Sequence, residues 1–118
     1  MNLKRHVEIN GAVAAGYQHA AKMHRELLQY RDSIDLHWPV LRTEPEQVLK
    51  LFRRASDDVA GVAIAVDYLD TARMEPGAQH GKMQDLWTGI TCAVMGAAVA
   101  LNTLKREIMR TGGNREAR

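Results

Sequence analysis

The chain has 118 residues, of which 54 are hydrophobic, 16 of those being Ala and only six aromatic. That length holds one ordinary domain and not two, and the Ala-rich, aromatic-poor profile favours helices over strands. Sixteen Lys and Arg against 14 Asp and Glu leave a net charge of +2, too small an excess to make the surface as a whole a binder of nucleic acid or membrane.

From Ile9, apolar or small residues recur as Ile9, Val13, Gly16, Ala20, Met23, Leu27, Tyr30 and Ile34, alternating spacings of four and three. This heptad seam predicts a first helix over about 3–34. Gly11 and Gly16 interrupt it, and each costs about 1 kcal/mol relative to Ala in a helix interior. Flanked by Ala12, Ala14 and Ala15, they mark a narrow segment for close approach of a second backbone, as do Gly61 and Gly96 in the later helices.

The segment Asp35-Leu36-His37-Trp38-Pro39-Val40-Leu41-Arg42 then holds several apolar residues where a connection is ordinarily hydrophilic. Either Leu36, Trp38 and Leu41 fold over the open end of the molecule as a plug, or Trp38 centres a binding patch. Thr43-Glu44-Pro45-Glu46 follows as a capping box with Pro in the first turn, which predicts a second helix over about 44–75. Its seam is Val48, Phe52, Ala55, Val59, Val62, Val66 and Leu69, and Glu75-Pro76-Gly77 stops it. The third helix, about 80–111, carries Met83, Leu86, Ile90, Ala93, Ala97, Leu101, Leu104 and Ile108, and Gly112-Gly113 predicts its end before a flexible basic tail over 112–118.

Short connections between long helices predict an all-α, antiparallel up-down-up bundle of three helices, with Ala14 opposite about Ile64 and Ala60 opposite about Val94. Contacts through Ala and Gly bury little area, at about 25 cal/mol per Å². Secondary stripes (Leu49, Leu51, Ala63 and Ile64; Trp87, Val94, Ala98 and Val99) widen the apolar faces, and wide faces call for further neighbours. The expectation is a homodimer that completes a larger bundle.

Charge divides unevenly between the ends of this bundle. The end carrying the Trp38 connection has eleven cationic and seven acidic residues, Arg25, Arg31, Lys50, Arg53, Arg54, Lys105 and Arg106 among the former, whereas the opposite end is slightly acidic. An anionic partner, an acidic protein face in preference to nucleic acid, suits the basic end. The single Cys92 lies in an apolar run and reads as a buried thiol in a reducing compartment. The N-terminus has no clean signal-peptide core, and the longest weakly polar run, Leu86 to Leu101, has 16 residues where a membrane span needs about 20. A cytoplasmic chain without membrane contact is expected.

Residues for metal or nucleophilic chemistry are sparse. His19 and His24 are five apart, off the three- or four-residue spacing that sets two ligands on one helix face. Asp67 and Asp70 are three apart with no evident second carboxylate pair to share a cation, and Ser33 and Ser56 have no triad pattern around them. No cofactor or metal is expected. One pattern does carry chemistry: Arg31-Asp32-Ser33-Ile34-Asp35-Leu36-His37 resembles the Arg-polar-four-His signature of the HEPN RNase families. The resemblance implies that Arg31 holds a scissile phosphate while His37 moves protons during attack by a ribose 2′-OH. It covers these seven residues, which follow the first of three helices, whereas that family carries the motif near the last helix of a four-helix bundle.

The favoured expectation is a small non-enzymatic helical interaction module that oligomerises and presents its basic end and Trp38 to a protein partner. By fold-level analogy it is adaptor- or inhibitor-like, of the kind that serves bacterial or phage mobile elements. Trp38 fluorescence separates the plug from the patch: blue-shifted emission protected from a soluble quencher is the outcome for a plug, and red-shifted, quenchable emission for a patch.

Overall fold

A four-three seam buries one stripe of each helix, and burying three such stripes against one another yields the observed architecture. The computed structural model describes residues 3–36, 45–77 and 80–116, with side chains described over 9–36, 46–77 and 81–110. It contains three long helices, α1 (Leu3–Leu36), α2 (Pro45–Met74) and α3 (His80–Glu116), packed as an all-α bundle measuring 64 × 20 × 16 Å. All 23 seam positions named from the sequence are buried or half-buried. Val48, Val62, Val66, Leu69, Ile90 and Leu104 are the largest side chains fully enclosed. Among the described residues no polar or charged side chain is buried, so the core is held by packing alone.

The helix ends follow local chemistry. Pro45 opens α2 at a position where its missing N–H is no loss, and Glu46 in the first turn complements the positive end of the helix dipole. The proposed Thr43 cap lies outside the described residues. At the other end the Glu75 N–H donates to the Ala72 carbonyl at 3.2 Å, and Gly77 then takes φ +75°, a left-handed conformation suited to glycine. The third helix departs from expectation. It continues through Gly112 and Gly113 to Glu116 instead of ending at the glycine pair, because two weak helix formers next to an established helix lower its stability without forcing a left-handed turn.

The small residues behave more selectively than their number suggests. A Cβ on Gly16 would lie 2.8 Å from Val66 Cγ2, so α1 and α2 approach closely there, while the Cβ positions of Gly11, Gly61 and Gly96 meet nothing within 4 Å. This contact also sets the register. Gly16 opposes Val66, about one turn beyond the expected pairing of Ala14 with Ile64, and Ala14 and Ile64 are both exposed. The secondary stripes divide likewise: Leu51, Ala63 and Val94 pack against the core, whereas Leu49, Ile64, Trp87, Ala98 and Val99 face outward. Cys92 is exposed on α3 and not buried as its apolar run implies. That run is apolar on every side of the helix, so its composition does not say which side faces in.

These contacts set opposite outcomes for the same substitution. Gly61→Ala is expected to stabilise by about 1 kcal/mol through helix propensity. Gly16→Ala is expected to destabilise by about 1–2 kcal/mol, because forced overpacking outweighs the same gain. In a Val66→Ala background, Gly16→Ala becomes stabilising. Thermal or urea unfolding of the four variants measures all three signs.

Candidate functional site

Two polar devices and one apolar hollow lie along the seam between α1 and α2. Near the connection to α3, the Tyr17 hydroxyl of α1 lies 2.7 Å from Asp67 Oδ1 and 2.9 Å from Asp70 Oδ2 of α2, so its one proton is offered to two carboxylates. Arg73 Nε donates to Asp70 Oδ1 at 2.7 Å, and Arg73 Nη1 donates to Asn10 Oδ1 on α1. The acid pair, for which the sequence offers no second carboxylate pair to share a cation, is thus bonded to a tyrosine and an arginine. These bonds hold the Tyr17 hydroxyl far above its ordinary pKa, Asp67 first and Asp70 second. The Asp70 carboxyl is held below the usual carboxylate range, chiefly by Arg73 and then by Tyr17. No group of three or more His, Cys, Asp or Glu suited to a metal ion occurs among the described residues.

One turn further toward the basic end, at Ala20 on α1 and Ala63 on α2, the seam opens into a hollow of about 440 Å³. Its floor and walls are apolar: Leu27 and Leu28 from α1 face Phe52, Val59, Ala60 and Ala63 from α2. Among the described residues, His24, Arg31 and Ser56 supply its polar side chains. The hollow follows from residue size. Ala60 and Ala63 on α2 and Ala20 on α1 line it together, and such short side chains do not fill the outer part of the seam that Leu27 and Phe52 also line. Close to it, the Tyr30 hydroxyl donates to Glu26 on the same helix, and partial burial followed by that bond raises its pKa.

The structure distributes the sequence-derived candidates unevenly. Arg31 stands at the hollow, its side chain 57% exposed and 4.0 Å from Asp32. His37, Trp38 and Arg42 lie outside the described residues, and with them the Arg31–His37 pairing and the two readings of Trp38. His19 and His24 are exposed on α1, and only His24 reaches the hollow. At the basic end Arg25, Lys50, Arg53, Arg54, Lys105 and Arg106 are exposed without an ion pair to another described residue, whereas Arg110 pairs with Glu107 on α3. The hollow itself escaped the sequence reading. Its signal is the run of small residues Ala60, Gly61 and Ala63 on α2, in which the sequence marks Gly61 as a place of close approach and sets Ala60 opposite Val94 of α3, whereas Ala60 and Ala63 line the hollow with Ala20 of α1.

Among the described residues one helix, Gly81–Arg110, is long and apolar enough to cross a membrane, and 22% of its apolar window is buried. Comparison with protein-family models, with curated proteins and with solved structures returns no match.

The polar device at Tyr17 has a defined acid sensitivity. Because the folded-state pKa of Asp70 is lowered, its contribution is complete above the ordinary Asp pKa of about 4 and is lost as pH falls through the lowered value. The difference in thermal midpoint between the native chain and Asp70→Asn should be largest at neutral pH and should close below about pH 4.

Proposed function

We propose that this chain is a non-enzymatic interaction module of the adaptor or inhibitor kind, acting in the cytoplasm, which receives an amphipathic helix of a partner protein in the α1/α2 hollow. The single observation that carries the reading is the hollow itself: an apolar trough between two parallel walls, open to solvent, at the more basic end of the bundle. Helix-in-groove recognition works in this way, with apolar anchors one turn apart seated between two helices. Arg31 is the cation that lines the trough, and on the helices that form it Lys22, Arg25, Lys50, Arg53 and Arg54 stand beside Glu26, Asp32, Asp35, Glu46, Asp57 and Asp58. The preference for an acidic residue beside the partner's apolar anchors therefore rests on Arg31 at the lining and acts in register more than in steering.

The test uses substitutions that leave the core intact. Ala60 is exposed at the trough wall, so Ala60→Glu introduces bulk and like charge without touching a seam residue, and Arg31→Glu reverses the charge of the lining. A partner captured by the native chain should be lost with either variant, and cross-linking followed by mass spectrometry should place an acidic helical segment of that partner against Leu28 or Phe52. Capture that survives both variants overturns the reading. So does RNA cleavage by the native chain that Arg31→Ala and His37→Ala each abolish, an outcome that would install the RNase alternative in its place.

A further inference from the structure

The outward face of α3 is a long apolar surface that the bundle leaves uncovered. Between Asp85 and Lys105 the helix carries no charged residue for 19 positions. Its outer side presents Met95, 64% exposed, Val99, 68% exposed, and one flank of Trp87. The polar residues on this side are drier than their names imply. Thr88, Thr91 and Thr103 lie 3.1, 3.2 and 2.9 Å from the carbonyl oxygens of Gln84, Trp87 and Val99, so each hydroxyl donates into its own helix and leaves the methyl group outward. A contiguous apolar face of this kind on a bundle marks an interaction surface.

A bilayer does not fit it. Asp85 to Lys105 spans about 30 Å, the thickness of a hydrocarbon core. On the neighbouring α2, however, Asp58 and Asp67 stand only about 13.5 Å apart at 1.5 Å per residue. Insertion of the bundle would bury those carboxylates, and extraction of α3 alone would expose the seams of α1 and α2.

A second copy does fit. Along the middle of the face run Gln84, Thr88, Thr91, Met95, Val99, Asn102 and Arg106. Counted outward from Met95, the spacing is four, three, four in both directions. A sequence stripe with that symmetry meets itself when two copies pack antiparallel about a two-fold axis, the isologous arrangement of most dimers. In that register Met95 meets Met95, and Thr91 meets Val99 of the partner copy. The edges are complementary as well. Asp85, ten residues before Met95, comes level with Lys105 and Arg106, ten and eleven after it, and at 100° per residue Asp85 and Arg106 lie to the same side of Met95, about 80° and about 20° around the helix. Trp87 and Lys105, five turns apart on the opposite edge, come level within a turn and allow a cation–π contact. Asp85, Lys105 and Arg106 form no ion pair with another described residue of their own chain. A parallel pairing would instead set Asp85 against Asp85 and Arg106 against Arg106.

We infer that the protein self-associates as an antiparallel two-fold dimer through the outer face of α3, centred on Met95 and closed at its ends by Asp85–Arg106 pairs between copies. This gives a surface and a register to the oligomeric part of the expectation drawn from the sequence, and it is independent of the α1/α2 trough. Sedimentation of the full chain over a micromolar dilution series should show a mass rising toward twice the 13.2 kDa of the monomer. Met95→Glu should remain monomeric at unchanged helical circular dichroism. Asp85→Lys and Arg106→Glu should each weaken association about tenfold, as expected for two partly exposed ion pairs per dimer, and the double substitution should restore it. Ala60→Glu should leave association unchanged, so loss of the trough reading and loss of this one are separable. A native chain that stays monomeric throughout, a double substitution no better than the single ones, or binding of α3 to phosphatidylcholine vesicles overturns the inference.

Discussion

Each helix encloses one narrow stripe of side chains, and with 16 of 54 hydrophobic residues being Ala that stripe is close to all that a cross-section of 20 × 16 Å can bury. Every other property of the molecule follows from the limited width of this core. Seams that alternate four and three bring the three helices together along their length, but they occupy only part of each helix circumference. Apolar residues beside the seams are then left to the surface, as Leu49, Ile64, Trp87 and Val99 are. A bulkier sequence would have filled the α1/α2 trough from within. This one fills the inner seam and leaves the outer seam open.

The two ends of the α1/α2 seam are held in different ways. Near the α2–α3 turn, the Gly16–Val66 approach and the bonds from Tyr17 and Arg73 fasten α1 to α2. Toward the basic end, Ala20, Ala60 and Ala63 provide no such fastening, and the trough begins there. The polar network is partly exposed, and its value in stability is small compared with burial of the seams. Its structural effect is to fix which turn of α1 faces which turn of α2, and hence where the trough lies and which cations border it.

Much of the fold was legible in the sequence, because helical periodicity is a property of one strand of text. Seam residues from Ile9 to Ile108 all turned inward, and the α2 terminus at Glu75-Pro76-Gly77 follows from turn chemistry. What escaped was information that needs two helices at once. Placing Ala14 against Ile64 missed the register by about one turn, and with it both the Tyr17–Asp67 bond and the trough. Cys92 was misread for a related reason: in a run that is apolar on every side, composition cannot separate the inward from the outward face. Glycine had the same ambiguity, since Gly16 marks a close approach and Gly61 and Gly96 do not. For the candidate site, the cationic border was legible and the hollow it borders was not.

The threonines of α3 show how a surface can differ from its composition. Thr88, Thr91 and Thr103 return their hydroxyl protons to the helix that carries them, so the hydration they attract depends on the helix being formed. Unfolded, the same stretch offers three free hydroxyls and a string of open backbone groups to water. Folding converts it into a nearly dehydrated strip, so solubility of the chain is a property of its conformation as well as of its residues. Concentration and helix content are thereby linked: conditions that tighten α3 also sharpen its aversion to solvent.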